Sequence, residues 1–206
     1  KKYIDNGDFI IEANDVSAIQ LASDSKVPFV VGPAVNCYNA QTLNLFLKQG
    51  MTRWCMPVEL SREWLQNVLI QCDELGIRDK FETEVFSYGY LPLAYSARCF
   101  TARAENKPKD ECETCCIKYP NGITVNSQEG QEVFTLNGIQ TMCGQVYNLC
   151  EDRDSLKSSA DIARLSMHNM EDLQWIESFV LGTGSKRPDE HINGFWHHIA
   201  GMHCQS

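Results

Sequence analysis

The chain of 206 residues has no apolar run near the ~18 residues that a membrane-spanning helix needs. It also lacks a cluster of cations, because 18 Lys and Arg are dispersed among 27 Asp and Glu and the net charge is −9. Nucleic-acid binding requires clustered cations to neutralise phosphates. We therefore predict no transmembrane segment and no nucleic-acid partner. There is no signal peptide, and a start without Met indicates a fragment of a longer protein.

The sequence motifs of common hydrolases are missing as well. Neither H-E-x-x-H nor G-x-S-x-G occurs, and all five His lie beyond residue 167. His197, His198 and His203 have no matching carboxylate motif nearby in the sequence. Because proteolysis needs an activated nucleophile or a metal-bound water, the residues give a peptidase little support.

Short apolar runs alternate with amphipathic stretches over the first ninety residues. Strands are predicted over Phe9–Asp15, Val27–Asn39, Thr52–Ser61 and Phe81–Tyr95, and helices over Val16–Ser23, Ala40–Gln49 and Arg62–Leu75. Ser61 is a candidate N-cap, and Gly50 and Gly76 are candidate helix ends. This alternation predicts an α/β fold with a parallel sheet. We expect one (β/α) barrel-like domain over residues 1–206, incomplete at the N-terminus because a full barrel takes about 250 residues.

Polar residues near the ends of the predicted strands suggest a shared binding mouth, as at the carboxyl face of a barrel. The substrate-binding candidates are Glu12, Asn14, Asn36, Glu59 and Glu84. The alternative is that these side chains are structural hydrogen-bond partners. In that interpretation Glu84 pairs with Arg98 or Arg103.

The strand–helix pattern breaks after Tyr95. Residues 96–150 form a cysteine-rich insertion after the fourth predicted strand, and its second half, Gly130–Leu149, is β-like with a turn at Asn137-Gly138. A strand over Ala160–Met167 and a helix within Glu171–Gly184, ended by Gly182, are predicted beyond it.

Four of the ten cysteines, Cys99, Cys112, Cys115 and Cys116, lie close together as C-x12-C-x2-C-C. Because nothing marks the chain as secreted, we expect a reduced, cytoplasmic location, and a disulfide is disfavoured. Spacing alone leaves zinc and an iron–sulfur cluster about even. Nearby cations (Arg98, Arg103, Lys107 and Lys109) would offset thiolate charge, although a solvated loop is an equally simple interpretation. Cys37, Cys55 and Cys72 lie in apolar surroundings and are predicted core residues.

The segments "EANDVSAIQL", "PFVVGPAVNCYN", "TRWCMPVELS", "GYLPLAYSARCFTAR", "IKYPNGI", "LNGIQT" and "NGFWH" occur in order along the chain. In these segments the chain resembles the collagenase-like peptidase family, and within it the UbiV-type branch of ubiquinone-biosynthesis proteins. The resemblance implies a β/α barrel with a [4Fe–4S] cluster on four cysteines. Three of them match Cys99, Cys112 and Cys116, and the fourth is expected upstream of residue 1. Cys115 is then a bystander.

The resemblance also implies a function. UbiV-type proteins act with a UbiU-like paralogue, as a heterodimer, in the oxygen-independent hydroxylation of a prenylated phenol or quinone precursor during anaerobic ubiquinone synthesis. The alternatives are a collagenase-like peptidase and a non-catalytic half that stabilises its partner. One departure from the family pattern is Met142-Cys143 after "NGIQT", where Gln-Ser is usual. Cys143 is therefore an incidental neighbour or a substitute ligand.

Overall fold

The computed structural model of the chain describes residues 2, 4, 7–183 and 191–205. These residues divide into two compact units. The first comprises Lys1–Phe86, Asp154–Arg164 and Phe195–His198, and the second Ser87–Arg153, Leu165–Gly194 and Ile199–Ser206. The strands and longer helices, in chain order, are β1 (Ile11–Ala13), α1 (Val16–Asp24), β2 (Phe29–Val31), α2 (Ala40–Gln49), β3 (Met51–Cys55), α3 (Arg62–Glu74), β4 (Glu82–Gly89), β5 (Pro92–Tyr95), α4 (Phe100–Ala104), β6 (Ile123–Asn126), β7 (Glu132–Asn137), β8 (Gln140–Cys143), β9 (Val146–Asn148), α5 (Arg153–Lys157), β10 (Ile162–Leu165), α6 (Asp172–Leu181) and β11 (His191–Ile192).

The first unit contains the predicted parallel sheet. Strands β1, β2, β3 and β4 are hydrogen-bonded neighbours in that order and run parallel, and β10 pairs with β4. Ala13, Val31, Trp54 and Thr83 are partners across the four strands, and each is 0% exposed. Because partners across a sheet point to the same face, these four residues define its fully buried face. The α/β class and the parallel sheet are confirmed, whereas closure into a barrel and a single domain over 1–206 stay predictions.

The helix boundaries in the first unit follow from side-chain caps. Asp15, Asn39 and Ser61 each accept a hydrogen bond from a backbone N–H in the first turn of α1, α2 and α3, respectively. Such caps satisfy N–H groups that have no partner within the helix. Gly50 ends α2 with a φ of 107°, a left-handed conformation that favours glycine. The predicted start and end of α2 and the N-cap of α3 are thus confirmed.

The second unit contains an antiparallel sheet in the order β5–β8–β7–β6, and the turn predicted at Asn137-Gly138 joins β7 to β8. The end of β4 pairs antiparallel with β9, which pairs parallel with β11. The single strand predicted over Phe81–Tyr95 is wrong, because β4 and β5 belong to different sheets. Gly89 ends β4 with a φ of 120°, and a Cβ there would lie 2.4 Å from the Ser166 carbonyl oxygen. Only glycine fits this backbone.

The predicted strand near residue 160 is confirmed as β10, and the predicted helix near residue 171 as α6, which ends at Gly182. Gly184, the last residue of that helix prediction, lies outside the described residues. None of the helices in the described part of the chain is long and apolar enough to span a bilayer.

Candidate functional site

The loop that carries Cys99 is anchored to the turn between β7 and β8. The N–H of Ser96 donates to the Ile139 carbonyl at 2.8 Å, and the N–H of Phe100 donates to the Gly138 carbonyl at 2.7 Å. The Gly138 N–H in turn donates to the Thr101 hydroxyl at 3.2 Å. Cys99 is the N-cap of α4, and its thiol accepts the Ala102 N–H at 3.4 Å. The Asn-Gly turn predicted from sequence therefore positions the first predicted ligand.

The segment that carries the other cysteines is held against α4 by charged side chains. Glu105 accepts hydrogen bonds from Lys118 at 2.7 Å and from the Tyr119 hydroxyl at 2.5 Å. Lys107 pairs with Glu113 at 3.0 Å. Together these contacts fasten both ends of the segment from Cys112 to Cys116 beside the Cys99 loop.

Cys115 is the buried member of the cysteine group, at 6% exposure, whereas Cys99 and Cys112 are half-buried and Cys116 is exposed. Burial raises the pKa of the Cys115 thiol, and the nearby Cys112, Glu105, Cys99 and Cys116 raise it further. The three predicted ligands thus all lie within electrostatic range of one residue. Cys115 was expected to be a bystander, and its burial gives it a packing role.

The backbone between Cys112 and Cys115 is strained. Glu113 and Thr114 have φ angles of 50° and 55°. A β-branched residue in this region is an outlier, and each such residue costs on the order of 1–3 kcal/mol. Strain of this kind is concentrated at ligand and active sites, which supports a functional role for this loop.

A pocket of about 510 Å³ opens beside Cys99. Its lining includes three cations, Arg98, Arg103 and Lys107, and its remaining lining residues are Ala97, Cys99, Asn106 and Pro108. Lys107 pairs with Glu113, whereas Arg98 and Arg103 form no ion pair with any residue that the structure describes. Cys99 therefore lines a pocket together with two arginines that no described carboxylate pairs with.

The cysteine group supplies thiolates, the donor type that both zinc ions and iron–sulfur clusters bind. Among the described residues, no three His, Cys, Asp or Glu side chains are close enough to hold one metal ion. A single zinc ion takes thiolates at about 2.3 Å, so its sulfur ligands must almost touch. Cluster thiolates bind different iron atoms and lie further apart. The choice between a zinc ion and an iron–sulfur cluster at Cys99, Cys112 and Cys116 stays a prediction.

The remaining cysteines lie in packed surroundings. Cys37, Cys55 and Cys72 are 3%, 3% and 0% exposed, so the prediction that they are core residues is confirmed. Cys143 is also buried, and its thiol accepts the Leu91 N–H at 2.9 Å and donates to the Gln145 carbonyl at 3.0 Å. Burial raises the pKa of Cys143 to about 11. Its sulfur is therefore satisfied by backbone groups, and a role as substitute ligand stays a prediction.

The strand-end candidates of the first unit separate into two groups. In the first group, Glu12 and Glu84 both form ion pairs with Arg164, and Asn14 donates to Glu12 at 2.9 Å. Glu84 is 5% exposed and also pairs with Arg53 at 3.2 Å. The predicted alternative partners of Glu84, Arg98 and Arg103, are wrong. The true partners lie on β3 and β10, strands of the same unit as β4.

The charges of this network stabilise one another. Burial raises the pKa of Glu12, but hydrogen bonds from Arg164 and Asn14 and the charges of Arg164 and Arg53 outweigh this effect, so the pKa lies below its usual value. Burial lowers the pKa of Arg164, but its contacts, chiefly with Glu12, hold it above the usual value. Sequence analysis missed both arginines because nothing local marks them.

The second group consists of Asn36 and Glu59, which meet at Tyr38. The Tyr38 hydroxyl donates to Glu59 and lies 3.4 Å from the Asn36 side-chain oxygen. Trp64 joins this group because its indole N–H donates to the Tyr38 carbonyl at 3.3 Å. Tyr38 and Trp64 were not among the predicted residues. The available signal was that Tyr38 lies near the end of the predicted strand Val27–Asn39 and Trp64 near the start of the predicted helix Arg62–Leu75, close in sequence to Asn36 and Glu59.

The model of Peptidase family U32 matches residues 5–179, so the chain belongs to that family. A similar protein is the tRNA hydroxylation protein P of Escherichia coli (strain K12), which is 27% identical over 134 residues. The match covers 64% of this chain but only 28% of that relative. No solved structure matches the chain.

Proposed function

We propose that this chain helps to bind a [4Fe–4S] cluster through the thiolates of Cys99, Cys112 and Cys116, with a fourth cysteine upstream of residue 1. The observation that carries the proposal is that Glu105, at the end of the helix that Cys99 caps, binds Lys118 and Tyr119 and so holds the segment with Cys112 and Cys116 beside that helix. A bound cluster would supply one-electron transfer. The contribution of this chain is to position the thiols and to place the cations Arg98 and Arg103 in the pocket that Cys99 lines.

The reaction that we propose is an oxygen-independent hydroxylation of an aromatic ring. Family membership supports it, as does a relative whose name describes a hydroxylation protein. In its finer form, the protein acts in anaerobic ubiquinone biosynthesis on a prenylated phenol or quinone precursor, as a heterodimer with a UbiU-like paralogue in the cytoplasm. The name of the relative makes tRNA the second candidate substrate.

A collagenase-like peptidase is the alternative from another class of function. It is favoured by the family name and by one pair of side chains, since the Cys204 thiol lies 3.4 Å from the Nε2 atom of His191. A thiol beside an imidazole is the minimal arrangement of nucleophile and base. Both atoms belong to the second unit. This pair makes the alternative testable by a single substitution.

The experiment is anaerobic purification of the full-length protein with its partner, followed by iron and sulfide analysis and a product assay. Cys99→Ser, Cys112→Ser and Cys116→Ser are expected to lower the iron content and abolish ring hydroxylation. Cys115→Ser is the matched control because it removes a neighbouring thiol that is not a proposed ligand. Equal iron content in all four variants would contradict the ligand assignment. Cleavage of gelatin that is lost in Cys204→Ser would establish the peptidase instead.

A further inference from the structure

Asn36, Tyr38, Glu59 and Trp64, which we call the ring-site residues, lie in the two segments that follow β2 and β3. These strands are parallel neighbours, so the segments after them emerge at the same edge of the sheet. In open and closed α/β sheets, ligands bind at this carboxyl edge. All four residues belong to the first unit.

Tyr38 connects the two segments. Its hydroxyl donates to Glu59, which is 21 residues further along the chain. Burial and the contact with Glu59 raise the pKa of Tyr38 to about 12, so the phenol keeps its proton at neutral pH. A phenol has one proton to donate. Since that proton goes to Glu59, the side-chain amide of Asn36 is left able to bond to a ligand.

Trp64 presents an oriented ring to solvent. Its indole N–H is held by the Tyr38 carbonyl, and its backbone N–H by the Ser61 hydroxyl at 3.2 Å. Even so, Trp64 is 49% exposed, whereas Trp54 and Trp196 are 0% and 2% exposed. A large aromatic side chain that is fixed at one edge and open on its surface can act as a stacking platform.

Asn36 and Glu59 add hydrogen-bonding groups that are linked to Trp64 through Tyr38. Asn36 has a φ of 57°, an uncommon conformation that Asn tolerates better than most residues, and it is exposed. In the part of the chain that the structure describes, the carboxylate of Glu59 accepts a hydrogen bond only from Tyr38. Its second oxygen can therefore accept a hydrogen bond from a ligand. The negative charge of Glu59 favours a neutral ring that carries a donor.

We propose that the ring-site residues bind a planar ring with its own hydrogen-bond donor, such as a phenol or a uracil. The ring stacks on Trp64, and its O–H or N–H donates to Glu59 or to the amide oxygen of Asn36. The identity of the ring rests on the proposed function, because both candidate substrates present such a group. The binding itself rests on the geometry of these four residues.

The test is titration of the isotope-labelled full-length protein with phenol or with uridine, followed by NMR of the indole N–H signals. Trp64→Phe assigns the Trp64 signal. We expect this signal to shift while those of the buried Trp54 and Trp196 stay in place. Anisole, which lacks a donor, and cyclohexanol, which lacks a planar ring, should bind more weakly. A preference for phenol points to a quinone precursor, and a preference for uridine points to an RNA base.

Variants sharpen the result. Trp64→Leu should weaken binding of the preferred probe by about tenfold, the scale of losing one stacked ring. Ile70→Ala is the matched control, because Ile70 is another exposed apolar residue of α3, at 56% exposure. Glu59→Gln should reduce the preference for phenol over anisole. Unchanged affinity in Trp64→Leu, or equal binding of all four probes, would overturn the inference.

The two proposals can fail separately. A Trp64→Leu protein with normal iron content and an unchanged KM would refute the ring site and leave the proposed function intact. Ring binding at Trp64 in a protein that never acquires iron and sulfide would refute the proposed function and leave the ring site intact.

Discussion

The buried carboxylate of Glu84 provides the sharpest test of how the first unit is stabilised. Its side chain is 6% exposed and pairs with both Arg53 and Arg164, which are 27% and 31% exposed. In Glu84→Gln the negative charge is lost. The new amide N–H groups then face two guanidinium groups, which are hydrogen-bond donors only and cannot accept a hydrogen bond. We therefore expect the folded state to lose both pairs at once.

The magnitude follows from burial. Removing one partner from a buried ion pair costs about 3–5 kcal/mol. Because the two arginines are partly hydrated, we expect about 2–3 kcal/mol for Glu84→Gln, just below that range. Glu82 is the matched control, since it lies two residues away on the same strand, pairs with the same Arg53 and is 54% exposed. An exposed pair contributes about 0.2–1 kcal/mol, so Glu82→Gln should cost far less.

Urea unfolding measures the difference. Tryptophan fluorescence reports mainly on the first unit, because Trp54, Trp64 and Trp196 belong to it and Trp175 belongs to the second. With a slope of about 2–3 kcal/mol/M, Glu84→Gln should lower the midpoint by about 1 M and Glu82→Gln by about 0.2 M. Equal shifts for the two variants would show that burial of Glu84 does not govern its contribution.

Three further predictions concern other parts of the structure. The pKa of Glu12 is lowered in the folded state. Its ionised form therefore stabilises the fold above the unfolded pKa of about 4.3, and this contribution is lost as the pH falls through the folded pKa. Acid unfolding, followed by circular dichroism, should be less steep in Glu12→Gln. Ser61→Ala removes the N-cap of α3 and should cost about 1 kcal/mol in urea unfolding, whereas a change within a few tenths would show that the cap is dispensable. Thr101→Val removes the hydroxyl that accepts the Gly138 N–H, and hydrogen exchange of that amide should become faster, while unchanged exchange would refute the anchoring of the Cys99 loop.

Local sequence signals predicted the elements of the first unit well. The boundaries of α2 and the Ser61 cap of α3 depend on neighbouring residues, which is the range over which sequence patterns operate. The break between β4 and β5 was missed because the apolar pattern continues through it. What stops the strand is the tight approach of Gly89 to Ser166, a contact between residues far apart in sequence.

The same limit applies to the candidate site. Glu84 was predicted as a site residue from its place near a strand end, but its partner Arg164 lies 80 residues away. No local sequence pattern indicates which arginine of the chain pairs with Glu84 in the folded sheet. The grouping of Asn36 with Glu59 follows from the adjacency of two parallel strands, so the predicted topology already brings these residues together. Trp64 could be recognised as part of the group only from its exposure in the folded structure.

The net charge of the whole chain does not show how charges are distributed around the cysteine group. The net charge is −9, yet residues 96–121 carry five Lys and Arg against four Asp and Glu. Within that segment the folded chain pairs Lys107 and Lys118 with carboxylates and leaves Arg98 and Arg103 at the pocket beside Cys99. The cations that matter to a group of thiolates are those within a Debye length of about 8–10 Å, not the sum over the surface. The absence of a nucleic-acid partner was predicted from that sum and stays a prediction, while the positive pocket beside the thiols depends on residues that the net charge conceals.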